Sequence, residues 1–224
     1  MGVGVASTGI LATDGLTTYQ MGWIDTSRTD IWEVKFGPNS GIYFCGDNGL
    51  IIKSPNLDDF YYQNSFVSSM LYDIDFLNAD SGLVVGANGI VLTTTNGGEN
   101  WVTKYYQTSS NYKIYIVNKD LIFIGSAYSG GQLAKSTNFG ETWESVSVRG
   151  LSSSVYAIFF LDNLNGWVGS ASNGIFYTSD GGSTWSQIMT STNTIYDIKF
   201  ITPQIGFAVD SKSIIYKTTN GGTT

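Results

Sequence analysis

The side chains able to do acid–base or nucleophilic work are few. The 224-residue chain has no histidine, a single cysteine (Cys45) and four glutamates, Glu33, Glu99, Glu141 and Glu144. Without histidine, a self-contained Ser-His-Asp or Cys-His nucleophile cannot be assembled. Glycoside hydrolysis needs two carboxylates flanking one bond. One recurrent strand position offers charged groups, namely Glu33, Asp73, Lys113 and Asp197, with Ala157 completing the series and Lys35, Asp75 and Lys199 two residues further along. If those strands stand side by side, they make a mixed-charge ring around a channel, read either as a ligand or catalytic set or as an ordinary wet wall. Glu99 and Glu141 fall at variable turn positions and read as solvated. No catalytic residue is assigned. No metal site is assigned either, because one thiol and scattered carboxylates do not supply a converging ligand set. No cofactor is expected.

The elements that would position these groups come from an internal repeat. The string TTNGGENW (Thr94–Trp101) recurs as STNFGETW (Ser136–Trp143) and TSDGGSTW (Thr178–Trp185), and as TTNGGTT (Thr218–Thr224). Weaker copies are ATDGLTTY (Ala12–Tyr19) and SPNLDDFY (Ser54–Tyr61). The third positions are Asp14, Asn56, Asn96, Asn138, Asp180 and Asn220, spaced by 42, 40, 42, 42 and 40 residues. Upstream of the boxes run WEVKF, YDIDF, YKIYI, YAIFF and YDIKF, starting at Trp32, Tyr72, Tyr112, Tyr156 and Tyr196. Their alternation reads as strand. Strand–turn–strand patterns such as GLVVGANGIVLTT (Gly82–Thr94) follow, with Asn88–Gly89 and Asn173–Gly174 as hairpin signals. A fourth strand follows each box, as in NWVTKYY (Asn100–Tyr106).

Four strands per unit of about 40 residues make the blade of a β-propeller. The expectation is an all-β propeller of six blades of four antiparallel strands, the first and last incomplete. It forms one domain over 1–224, with blades near 1–29, 30–69, 70–110, 111–153, 154–193 and 194–224. In each box the Asp or Asn accepts turn N–H groups. Gly98, Gly140, Gly182 and Gly222 supply positive φ, and Trp101, Trp143 and Trp185 bury a ring between sheets. The box thus reads as a fold element rather than a ligand site. Cys45 reads as a small buried hydrophobe. The tyrosine pairs Tyr61–Tyr62 and Tyr105–Tyr106 read either as an exposed aromatic contact patch, suited to sugar stacking or a protein interface, or, as expected here, as pairs with one member facing inward.

These residues resemble the Asp-box (bacterial neuraminidase repeat) propellers, and within them the photosystem II stability/assembly factor type. The shared features are an aromatic strand start, a G-x-x-V-G turn region and T-x-D/N-G-G-x-T-W. The resemblance implies the fold but little about function, because such propellers include sialidases, glucanases, sortilin-type receptors, assembly factors and phage virion proteins. A sialidase of this fold uses three arginines, and this chain has two, Arg28 and Arg149.

Net charge is −7 with nine lysines, which argues against a phosphate-tracking nucleic-acid surface and an anionic-membrane binder. The start MGVGVASTGI lacks a basic n-region and an apolar h-region. A virion or cytoplasmic setting is therefore expected ahead of Sec export, unless the chain is a processed piece. The repeat register expects three strands at each end and 22 in all. Three-stranded terminal blades, strand donation by a partner, and a fragment of a longer protein all fit. The insertion SAYSGGQ (Ser126–Gln132) is the one loop with room for a specific role. The reading is a non-enzymatic structural or protein-interaction propeller, as a virion component or assembly factor, with other proteins as partners through its edge blades. The alternative is a carbohydrate-binding or glycan-hydrolysing Asp-box propeller, for which a glycan is the partner.

Overall fold

In the computed structural model, backbone is described for 2–6, 9–13, 18–21, 30–37, 41–56, 59–127 and 133–222, and side chains for the same segments from residue 30 onward. The chain divides into two compact units, Met1–Tyr106 and Gln107–Thr224. Twenty-two strands form six antiparallel sheets among the described residues.

The first unit holds three sheets in simple up-and-down order. They are β1 (Gly2–Ala6), β2 (Gly9–Thr13) and β3 (Thr18–Met21); β4 (Ile31–Phe36), β5 (Ile42–Gly46), β6 (Ile51–Ser54) and β7 (Tyr61–Gln63); and β8 (Leu71–Phe76), β9 (Gly82–Gly86), β10 (Ile90–Thr94) and β11 (Val102–Tyr105). The second strands β5 and β9 are apolar, β10 ends in two threonines, and all three are buried along their whole length, as strands covered on both faces must be. The hairpin turns β5–β6 and β9–β10 place Asn48 and Asn88 at φ 55° and 56°, each followed by a left-handed glycine. Asn pays least among non-glycine residues for that conformation.

The second unit repeats the plan. Its sheets are β12 (Asn111–Asn118), β13 (Leu121–Ser126), β14 (Leu133–Ser136) and β15 (Glu144–Ser145); β16 (Val155–Phe160), β17 (Gly166–Ser170), β18 (Ile175–Thr178) and β19 (Ser186–Met189); and β20 (Ile195–Phe200), β21 (Gly206–Asp210) and β22 (Ile215–Thr218).

Sheets meet through a recurring aromatic stack. The Phe ending a first strand lies flat on an aromatic from the second strand of the sheet before it. Phe76 lies on Tyr43 at 4.0 Å, Phe160 on Phe123 at 4.8 Å and Phe200 on Trp167 at 3.7 Å. The residue paired across from each Phe is Gly82, Gly166 or Gly206. A Cβ there would sit 2.4–2.5 Å from the ring, so only glycine admits the stack. These four-stranded antiparallel blades, repeated along the chain, make the fold a β-propeller.

Candidate functional site

The box is a hydroxyl–amide knot. Thr178 Oγ1 donates to Asp180 Oδ1 at 2.8 Å while accepting the N–H of Gly182 at 2.9 Å. Asp180 Oδ1 also accepts the Thr184 N–H at 2.8 Å, and Oδ2 accepts the Thr184 hydroxyl at 2.6 Å. Thr94, Asn96 and Gly98, Ser136, Asn138 and Gly140, and Thr218, Asn220 and Gly222 repeat the first two bonds. Asn or Asp serves equally because the knot needs one acceptor oxygen. Asn56 makes a shorter loop, accepting the Asp59 N–H at 2.9 Å. Hydrogen bonds from the Thr184 hydroxyl and N–H, then from Thr178, hold the Asp180 carboxyl down at about 2. Trp101 and Trp185 are buried edge-on to the stacks, Trp101 against Phe76 and Trp185 against Phe123 and Phe160. Trp143 is half-buried. Asp14 lies outside the residues whose side chains are described, as does most of the Ser126–Gln132 loop.

The five first strands share a second feature. Each carries a one-residue bulge against its second strand, between Ile31 and Glu33, Leu71 and Asp73, Asn111 and Lys113, Val155 and Ala157, and Ile195 and Asp197. The extra residues are Trp32, Tyr72, Tyr112, Tyr156 and Tyr196. A bulge sets two residues against one and re-aims the side chain it carries. In the first unit Trp32 meets Tyr72 edge-on at 6.0 Å. In the second, Tyr112 stacks on Tyr156 at 4.6 Å and Tyr156 meets Tyr196 edge-on at 6.0 Å. Trp32 and Tyr196 stay about half exposed, at 51% and 55%. Each unit therefore presents a row of aromatic rings on bulges rather than in the core, Trp32 and Tyr72 in the first and Tyr112, Tyr156 and Tyr196 in the second.

Glu33, Asp73, Lys113 and Asp197 come next to these rings. Glu33 and Asp73 stand on the neighbouring strands β4 and β8, and Lys113 and Asp197 on strands flanking β16. The carboxylates of Glu33, Asp73 and Asp197 each accept the next backbone N–H, at 3.1, 3.0 and 2.9 Å. Asp73 is buried, and neighbouring Asp75 pairs with Lys35 at 3.0 Å. These acids satisfy backbone donors where the bulge loosens the ladder. Among the described residues, no group of three or more His, Cys, Asp or Glu side chains could hold a metal ion.

Plain alternation predicts no bulge at the aromatic strand starts. The bulge was nonetheless encoded. Buried aliphatic residues recur at i and i+3 across it, as in Leu71 and Ile74, Val155 and Ile158, and Ile195 and Ile198, with Asp73 and Ala157 buried at i+2 as well in the first two, where an unbroken strand would give i and i+2 alone. Asp210, the last residue of β21, carries no motif in the sequence. Burial pushes its carboxyl up, but Asn193, the N–H groups of Ile214 and Lys212, and the Tyr216 hydroxyl outweigh that and hold it at about 2. Cys45 is fully buried. Tyr61 and Tyr62 are both exposed, against the expectation that one faces inward, because β7 is an edge strand of only three residues.

Knotted boxes on four-stranded blades define an Asp-box propeller similar to the photosystem II assembly-factor type. The family model described as photosynthesis system II assembly factor YCF48 matches residues 60–149. No curated protein matches the sequence. The solved structure of YCF48 from Cyanidioschyzon merolae matches with a TM-score of 0.73 at 16% identity, covering 95% of this chain and 77% of that one. A structure of YCF48 bound to D1 peptide matches with a TM-score of 0.51 at 16% identity, covering 97% and 88%. A GH74 enzyme from Niastella koreensis matches at 0.71 and 15% identity, covering 87% of this chain and 36% of the enzyme. At these identities the likenesses establish the fold.

Proposed function

We propose that the chain is a non-enzymatic protein-interaction propeller that docks a peptide segment of a partner on its bulge-borne aromatic rows, acting as an assembly factor. The observation that carries this is the repeated bulge, which spends an extra residue in five successive blades to hold Trp32, Tyr72, Tyr112, Tyr156 and Tyr196 off the core. Rigid, partly exposed aromatics flanked by mixed charge are the composition of a protein-binding patch. A propeller of the same fold is known with a peptide bound, which supports the mode without identifying the partner. The acids beside the rows are engaged with backbone N–H groups, which supports a structural role for them.

A peptide-array screen against the chain tests the proposal. Binders should lose at least tenfold in affinity with Tyr156→Ala or Tyr196→Ala while the far-ultraviolet spectrum is unchanged. Peptide binding that ignores both variants would overturn it. Glycan-array binding, or polysaccharide turnover abolished by Glu33→Gln, would establish the carbohydrate reading instead. Co-purification with incomplete assemblies alone marks an assembly factor, whereas a fixed copy number in finished particles marks a virion component.

A further inference from the structure

One connection recurs in five blades. The residue after each second strand donates its N–H to the carbonyl of the residue two before the bulge aromatic. The pairs are Asp47 to Asp30, Ala87 to Met70, Ala127 to Ser110, Ala171 to Ser154 and Ser211 to Thr194, all at 2.8–2.9 Å. This bond marks equivalent places around each bulge, so the blades can be compared residue by residue. Four of the five carry Ala or Ser at the donor position and tyrosine on the bulge. The blade β4–β7 departs at both, with Asp47 at the donor position and Trp32 on the bulge. Its acceptor residue is acidic too, Asp30 against Met, Ser, Ser and Thr. The first two departures are joined, because the Trp32 indole Nε1–H donates to Asp47 Oδ1 at 2.7 Å. The other bulges hold their rings with Ala or Ser at this place, so the fold does not require the carboxylate.

The result is an aromatic corner with negative charge along its edge. Tyr72, on the neighbouring strand β8, meets Trp32 at an interplanar angle of 72°, and half of the Trp32 surface is exposed. Aromatic faces attract cations, indole most strongly. A carboxylate that accepts the indole N–H polarises the ring further in the same sense. Asp47 and Glu33 are half-buried and Asp30 is exposed. Lys35, the cation of the same strand, pairs with Asp75 at 3.0 Å.

We infer that the corner of Trp32, Tyr72 and Asp47 is a recognition site for an alkylammonium group, the head of a lysine side chain in the docked partner segment. The ammonium sits over the indole face against the Tyr72 ring and turns its N–H groups towards Asp47 and Asp30. A guanidinium fits less well. Its donors lie in its own plane, so stacked flat on the indole it aims them past Asp47, which its bond to the indole edge holds level with the ring. The partner segment rests on the docking reading above; the affinity of the corner for an ammonium does not.

The probe is Nα-acetyl-lysine amide, titrated into the 224-residue protein while the indole N–H resonances are followed by proton–nitrogen NMR. The Trp32 resonance, assigned by its absence in Trp32→Phe, should shift saturably with a millimolar Kd, and the other indole resonances should stay in place. Nα-acetyl-norleucine amide and Nα,Nε-diacetyl-lysine amide, which lack the charge, should give no saturable shift. Asp47→Asn keeps an oxygen for the indole N–H and removes the charge, and should weaken the lysine probe about fivefold. Asp120→Asn, in the β12–β13 turn, should not. Tyr156→Ala and Tyr196→Ala, which test the docking reading, should leave the titration unchanged, so a lysine response without peptide binding would keep this site and sink that reading. No saturable shift at Trp32, an equal response to either uncharged probe, tighter binding of Nα-acetyl-arginine amide, or an Asp47→Asn protein that binds like the parent would each overturn the inference.

Discussion

Thr178 does two jobs with one oxygen. It donates to Asp180 and accepts from the buried Gly182 N–H. Thr178→Val keeps the shape and deletes both bonds, leaving a buried donor unpaired. It should cost about 1–3 kcal/mol, read as a lower urea midpoint with unchanged slope. Asp180→Asn should be milder, because Asn96, Asn138 and Asn220 fill the same place in other boxes. The acids also set a pH window. Asp180 and Asp210 are held at about 2 in the fold against an ordinary 3.8. Their contribution is complete above pH 4 and is lost as pH falls from 4 towards 2. Thermal melts should show Asp210→Asn less stable than the parent at pH 6, with the gap closing by pH 2.5.

At the scale of the element, the unit of cohesion is the triad of stacked pair and edge-on tryptophan. Phe160→Ala removes a ring that touches both Phe123 and Trp185, and should cost about 3–5 kcal/mol. Gly206→Ala would put a methyl 2.5 Å from the Phe200 ring and should cost about 1–3 kcal/mol by overpacking. Denaturant titration measures both. The blades were legible because box chemistry is local: Thr, Asn or Asp, Gly and Trp all act within eight residues, and turns with such needs write themselves into composition. The boxes at Asn96, Asn138, Asp180 and Asn220 fall where the spacing places them. The aromatic rows were only half legible. Their rings are visible in the sequence, but facing follows from a bulge, and the clue was an i, i+3 recurrence such as Ile195 and Ile198 inside an otherwise alternating strand. The corner between Trp32 and Tyr72 was not legible at all, since it depends on two sheets meeting.

For the molecule as a whole, 18 acidic against 11 basic side chains give a net charge of −7 and a pI near 4.4. Solubility should pass through a minimum near pH 4.4, followed by light scattering, before the acid losses at Asp180 and Asp210 begin to tell. With few cations to neutralise phosphates, retention on a DNA column at 50 mM salt is expected to be negligible. Burial is also uneven across the repeat. Ile175 is buried while Ile215, its counterpart on β22, is 71% exposed, and Phe207 and Val209 are partly exposed on the same sheet. That sheet should exchange its amide hydrogens faster than β16–β19.

The repeated bulge has a consequence for how such a chain changes over generations. An ordinary strand residue answers to two masters, because altering the outward side chain shifts the pleat that sets its inward neighbours. A residue carried on a bulge has slipped that constraint. Trp32, Tyr72, Tyr112, Tyr156 and Tyr196 can be exchanged one at a time without repacking Ile74, Ile158 or Ile198 beneath them. The scaffold thus works like a keyboard with fixed keys and replaceable caps.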